Sequence, residues 1–242
     1  MPHFFVLPEN ILDGVFRITG DEAHHLATVR RCQPGSTLHL FDGTGKTYRG
    51  TITVVAHNEL TGTLVEEQSA PGPVVDIRLY NAVPKGERFD WLVEKAAELG
   101  VTALIPIITE RSVVKDISSA KHDRWNRLSR AASEQSGRRD IMRVEAPILF
   151  DAALSQVVSS TVGVIPWEGE ETTAMREILP RIHPGAAVAI FVGPEGGFTS
   201  QEIVRASSQS IMPVTLGKNI LRVETAGILA TILVMNLAGR YQ

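Results

Sequence analysis

The 242-residue sequence predicts an α/β fold: a domain on a largely parallel sheet, preceded by a smaller domain of short strands. Three observations predict it. A composition break at Ser69-Ala70-Pro71-Gly72-Pro73 favours an irregular linker, because each proline lacks an N–H and restricts the residue before it. Before the break, strand-like runs alternate with Gly-containing turns. After it, strand-like and helical runs alternate, the pattern of crossovers between parallel strands.

In chain order, Thr37–Phe41, Tyr48–Val55 and Thr61–Val65 read as strands, with turns at Asp42-Gly43 and His57-Asn58. Short strands of this kind make a small barrel or sandwich. Val74–Val83 reads as the first strand of the second domain. Glu87–Leu99 reads as a helix, since Phe89, Leu92, Val93 and Ala96 follow the spacing of one helical face and Gly100 supplies a stop. Further strands are expected at Ala103–Ile108, Thr161–Ile165, Ala187–Val192 and Pro213–Leu216, and a last helix after Val223.

Hydrophobic residues make up 43% and charged residues 21%, which excludes a disordered or coiled-coil chain. A single cysteine, Cys32, excludes an internal disulfide and a Cys-rich zinc site. The N-terminus lacks a basic run followed by an apolar one, and the most apolar late segment, Ala226–Ala238, is shorter than the ~20 residues of a membrane span. A cytoplasmic protein with no membrane partner and no metal is expected. The net charge of −3 argues against a nucleic-acid partner, yet residues 121–143 hold seven Lys and Arg against three Asp and Glu, a local +4. Lys121, Arg124, Arg127 and Arg130 spread over about half a helix circumference, with Trp125, Leu128 and Ala132 opposite. Such a face suits a polyanion.

Several motifs are decoys. Gly43-Thr44-Gly45-Lys46-Thr47 has the end of a phosphate-binding loop, but its first glycine position is Leu40, so a hairpin turn is the better reading. His24-His25 are adjacent and point apart on a regular element, which favours a helix-start or surface role over a metal site. The informative segments are two strand-to-helix loops. Phe191–Thr199 runs through Gly193-Pro194-Glu195-Gly196-Gly197 to a capping box of Thr199 and Glu202. Thr215–Ala226 places Arg222 and Glu224 at the start of an apolar helix. Glu suits that end of the helix dipole; Arg does not, and calls for another reason such as an anionic ligand.

Together, Lys95–Val101, Glu134–Arg138, GPEGGF at 193–198 and LGKNILRVETA at 216–226 resemble the RsmE family of 16S rRNA (uracil-N3)-methyltransferases, of the SPOUT class. His24-His25-Leu26 with Arg31, and Leu40–Gly43 followed by Tyr48, match as well. The resemblance implies a PUA-like, RNA-binding β-barrel over 1–70 and a SPOUT α/β domain over 74–242, its chain tied in a deep trefoil knot. It implies S-adenosylmethionine as cofactor, a homodimer, and methylation of N3 of one uridine near the decoding site of the assembled small ribosomal subunit. Trp167, Val192, Gly193, Gly197, Leu216, Gly217, Asn219, Ile220 and Leu221 would hold the cofactor, with Glu168 beside Trp167. Arg222 would stabilise negative charge on the uracil oxygens, and Glu195 or Glu224 would accept the proton or orient Arg222. Arg31, Arg111, Arg124, Arg138 and Arg139 would contact phosphates. His3, Arg30, Met142, Asn219 and Val223 depart from the family pattern. The alternatives are a methyltransferase for another RNA such as tRNA, and a non-catalytic RNA-binding protein on the same fold.

Overall fold

A computed structural model describes residues 3–56, 58–69 and 75–239. Most of the expected linker, Ala70–Pro73, and one turn residue, His57, lie outside them. The chain divides into two compact units, residues 1–72 with 133–141, and residues 73–132 with 142–242.

The first unit contains β1 (His3–Phe5), β2 (Ile11–Leu12), β3 (Val15–Thr19), α1 (Asp21–Thr28), β4 (Thr37–Phe41), β5 (Lys46–Val55) and β6 (Glu59–Ser69). They form one six-stranded sheet in the order β1-β4-β5-β6-β3-β2. Every pairing is antiparallel except β1 with β4. Alternate residues face inward, so Phe16 and Ile18 of β3, Leu38 and Leu40 of β4 and Leu60 of β6 are buried together with Leu26 of α1. His24 and His25 lie on the exposed side of α1. β1 to β3 escaped the sequence reading because two- to five-residue strands give too few periods to register, and the eight-residue α1 spans little more than two turns.

The turn between β4 and β5 is a hairpin, as the decoy reading required. Asp42, 6% exposed, accepts from the Thr44 N–H at 2.8 Å, the Thr44 hydroxyl at 2.7 Å and the Tyr48 hydroxyl at 3.0 Å. Burial pushes the Asp42 carboxyl up, but these bonds, led by the Thr44 hydroxyl, outweigh it and hold the carboxyl below its ordinary value. Burial, reinforced by the bond to Asp42, pushes the Tyr48 phenol up to about 12. Residues 133–141 pack here: Asp140 bridges to Gly43 and Thr44.

The second unit holds β7 (Asp76–Ala82), α2 (Arg88–Leu99), β8 (Ala103–Ile108), α3 (Ser119–Gln135, whose last three residues count with the first unit), β9 (Arg143–Val144), β10 (Ile148–Leu149), α4 (Phe150–Leu154), β11 (Val162–Pro166), β12 (Ala187–Val192), α5 (Ser200–Ser208), β13 (Ile211–Val214) and α6 (Val223–Leu237). The sheet order is β10-β8-β7-β12-β11-β13, with β9 also on β8, and every pairing is parallel. Helices cover both faces, so the central strands are apolar on both sides. Ile77 and Leu79 of β7 and Val188 and Ile190 of β12 pack in one core with α2 and α6. Tyr80 and Phe191 face the other core, stacked at 4.5 Å between ring centres, with Phe150 and Phe198. Burying a side chain of this kind contributes about 1.5–3 kcal/mol.

Gly100 ends α2 in the left-handed conformation (φ 93°), as its sequence position implied. β13 corrects the expected Pro213–Leu216. Its partner β11 ends at Pro166, which pairs with Val214, so nothing remains for Leu216 to pair with. Pro213 is tolerated because β13 lies at the sheet edge.

Candidate cofactor site at the edge of the parallel sheet

Because β12, β11 and β13 are parallel neighbours, the loops that follow them emerge side by side at one edge, where open α/β sheets bind ligands. The loops enclose a cleft of about 150 Å³, lined by Pro166, Trp167 and Glu168 after β11, by Val192–Pro194, Gly197 and Phe198 at β12, and by Thr215–Leu221, Val223 and Ala226 after β13. All nine residues expected at the cofactor line this cleft. Ile220 is 92% exposed, so the cleft opens to solvent beside it.

Local bonds set each loop. The Trp167 N–H reaches the Val214 carbonyl at 3.1 Å and the Thr215 N–H the Thr173 carbonyl at 2.8 Å, which ties the first loop to the third. Glu170 closes the first loop: the Thr172 hydroxyl, followed by the Thr173 and Thr172 N–H groups, holds its carboxyl down to about 2. Gly197 has φ 67°, and a Cβ there would collide with the Glu168 carboxylate. Gly217 has φ 112° with open space around it. Both angles favour glycine for its lack of a Cβ.

The loop after β12 is braced from outside the cleft. Thr199 caps α5, and Glu202 completes the capping box by accepting from the Thr199 N–H at 2.8 Å. The other Glu202 oxygen accepts from the Glu110 N–H at 2.9 Å, so one buried carboxylate joins this loop to the segment after β8. Arg111 donates to the Gly196 carbonyl at 2.8 Å. Glu195 accepts from the Lys85 N–H at 3.1 Å and from Arg88 at 3.0 Å.

Arg222 stands at the N-cap of α6 with extended backbone (φ −66°, ψ 153°), exposed and donating no side-chain cap bond. Glu224, two residues on, is 6% exposed. It faces Arg88 at 3.9 Å, and its Oε2 has no hydrogen-bond partner. Arg88 therefore stands between Glu195 and Glu224, a group the sequence reading missed. The signal was present: Arg88 is the first residue of α2, so it too puts a cation at the positive end of a helix.

The five arginines expected on RNA are distributed between the units. Arg31 (φ 52°), Arg138 and Arg139 belong to the first, Arg111 and Arg124 to the second. Arg124 pairs with Asp90 at 2.8 Å, which neutralises part of the basic helix face, and Asp90 also accepts from Trp125 Nε1. Arg138 is only 8% exposed and is held by Asp140 at 2.7 Å. Arg139 is exposed.

An RNA methyltransferase domain matches residues 70–235, and an RNA methyltransferase PUA domain matches residues 18–65. Ribosomal RNA small subunit methyltransferase E of Synechocystis sp. is 34% identical over 91% of this chain and 73% of its own. The Bacillus subtilis protein of the same name is 33% identical over 89% and 87%. Among solved structures, ribosomal RNA small subunit methyltransferase E of Neisseria gonorrhoeae bound to S-adenosyl methionine superposes with a TM-score of 0.84, at 34% identity over 98% of both chains. A probable rRNA-methyltransferase from Porphyromonas gingivalis gives 0.88, at 28% identity over the full length of both.

Proposed function

The chain belongs to the RNA methyltransferase family, among the ribosomal RNA small subunit methyltransferases E, and from that premise we propose that it methylates N3 of one uridine of 16S rRNA near the decoding site. It is an S-adenosylmethionine-dependent methyltransferase of small-subunit rRNA. The observation that carries the finer reading is the convergence of the GPEGG and LGKNILR loops on one cleft, with Arg222 at the end of the second loop.

The cleft suits the cofactor. Leu216, Leu221, Val223 and Phe198 offer an apolar surface to a heteroaromatic ring, and the backbone of the two glycine-containing loops offers donors and acceptors to ribose and amino-acid groups. When bound, S-adenosylmethionine supplies an electrophilic methyl group; the protein supplies placement and electrostatics. Loss of the imide proton from N3 leaves negative charge on O2 and O4 of the uracil. The Arg222 guanidinium, always protonated, stabilises that charge. Glu195, exposed on the cleft loop, takes the proton; Glu224, buried against Arg88, holds that arginine in place. Since N3 lies in the Watson–Crick edge, the target base must be unpaired or flipped. The substrate is the assembled subunit, and the protein works in the cytoplasm; among the described residues no helix is long and apolar enough to cross a membrane. The second domain carries the trefoil knot and pairs as a homodimer, a state supported by the partial exposure of Leu229 and Ile232 on the strongly apolar α6.

The test offers methyl-labelled S-adenosylmethionine with small ribosomal subunits, naked 16S rRNA and tRNA in parallel. Label appearing as N3-methyluridine, fastest in the assembled subunit, is expected. Label in tRNA alone, or in another nucleoside, overturns the assignment.

A further inference from the structure

The loop after β12 is closed by a turn in which the Gly197 N–H donates to the Pro194 carbonyl at 2.9 Å. Pro194 and Gly197, the ends of that turn, line the cleft; Glu195 and Gly196, its centre, do not. The Gly196 carbonyl belongs to the same peptide unit as the Gly197 N–H. In a trans peptide these two groups point in opposite directions, so the carbonyl faces away from the turn. There it accepts from the Arg111 guanidinium at 2.8 Å. We infer that Arg111 is a positioning residue for the cofactor: by holding this carbonyl it keeps the 196–197 peptide in one orientation and fixes the cleft wall from outside. That role replaces the phosphate contact the family resemblance implies for it.

Packing supports the same role. A Cβ added at Gly196 would lie 3.3 Å from Arg111 Cβ and 3.5 Å from its Cδ, so the aliphatic stem of Arg111 runs along the Gly196 backbone. Gly196 is not among the glycines with positive φ, and the missing side chain therefore serves this close approach. Stem and donor are both engaged with the loop.

Arg111 is itself held in place. It sits in a turn after β8 that Thr109 and Ser112 close, at 4% and 5% exposure. The Ser112 N–H donates to the Thr109 carbonyl at 3.2 Å, and the Thr109 N–H donates to the Ser112 hydroxyl at 2.9 Å. Between them the Glu110 N–H is bound by the buried Glu202 of α5. The guanidinium thus reaches the loop from a rigid base. A loop kept in its binding shape loses less entropy when the ligand arrives, and its affinity is higher for that reason.

The role of Arg111 rests on the reading of the cleft as the cofactor site, and the experiment separates the two. Calorimetry of the full chain with S-adenosylmethionine is the readout, with thermal denaturation beside it. Arg111→Met keeps the stem and removes the donor. It is expected to weaken cofactor binding about 5- to 10-fold, the scale of one hydrogen bond from a charged group at an exposed position. Arg111→Lys is expected to recover to within about 3-fold of wild type, because the bond to Gly196 uses one nitrogen and not the guanidinium fork. Gly196→Ala crowds the Arg111 stem and is expected to weaken binding by a similar factor. The double variant should lose no more than the worse single change, since both act through one contact. A residue that only stabilised the fold would lower the melting temperature and leave the affinity of the folded protein unchanged. That result for Arg111→Met overturns the role, as do fully multiplicative losses in the double variant. A fluorescein-labelled oligouridylate 12-mer, titrated across a salt series, reads the rival assignment. A log–log slope flattened by about 0.7 in Arg111→Met, with cofactor affinity unchanged, returns Arg111 to a phosphate contact. Wild-type protein that binds no S-adenosylmethionine overturns the cofactor reading itself, and the role of Arg111 with it.

Discussion

Replacing Gly197 with alanine tests whether the cleft is built as the loop geometry implies. The backbone at Gly197 has φ 67°, a left-handed conformation that costs an L-residue about 1–2 kcal/mol. The added Cβ also lands on the Glu168 carboxylate, the far end of a flexible side chain, and moving it off its rotamer costs about 0.5–1.5 kcal/mol. The two effects sum to roughly 2–3 kcal/mol, which for a chain of this length lowers the melting temperature by about 4–12 °C. Gly217→Ala serves as the reference, because it carries positive φ (112°) and nothing within 4 Å; it should show the backbone cost alone. Glu168→Ala combined with Gly197→Ala should recover about 1 kcal/mol relative to the sum of the single changes. Thermal denaturation gives the stabilities, and calorimetry with S-adenosylmethionine gives the affinities, which should fall at least tenfold in Gly197→Ala. A Gly197→Ala protein with wild-type melting and wild-type affinity would refute the argument. So would strict additivity with Glu168→Ala, since the collision then contributes nothing.

Three more outcomes are expected. Arg222→Ala should keep the fold and cofactor affinity but lower the single-turnover rate by about 10²–10³-fold, the scale for losing one charge-stabilising donor; a near-normal rate rules out its assignment. Arg88→Gln leaves the buried Glu224 without its counter-ion and Glu195 without its strongest donor; denaturant unfolding should show a loss of about 1–3 kcal/mol. Asp42→Asn weakens three hydrogen bonds at the β4–β5 hairpin and should destabilise the first unit by about 1–3 kcal/mol at neutral pH. Because the folded Asp42 carboxyl lies below its ordinary value, its contribution is present above the unfolded value near 4 and disappears as pH falls through the folded one. The gap between Asp42→Asn and wild type should therefore narrow on acidification below pH 4, and a gap that widens there is the contrary result.

Much of the second unit could be read from local pattern. β8 and β12 begin and end where apolar runs begin and end, and α2 stops at the glycine that the pattern singled out. Both cleft loops could be read from their glycines and the Thr199–Glu202 box, because chemistry at a strand-to-helix turn depends on residues a few positions apart. The short strands β1–β3 and helix α1 could not, having too few residues for periodicity.

Sequence alone determined the composition break, the alternating second unit, the nine cleft residues and the family likeness, each written in contiguous runs. Tertiary structure decided which charges act together. Arg88 meets Glu195 and Glu224 from positions more than a hundred residues away, Arg124 is claimed by Asp90, and Arg138 is buried on Asp140 while Arg139 lines a cavity with His3 and His39. The physical reason is range. Propensity and periodicity act between neighbours in the chain, whereas the state of a charge depends on what lies within a few ångströms of it, and only folding settles that.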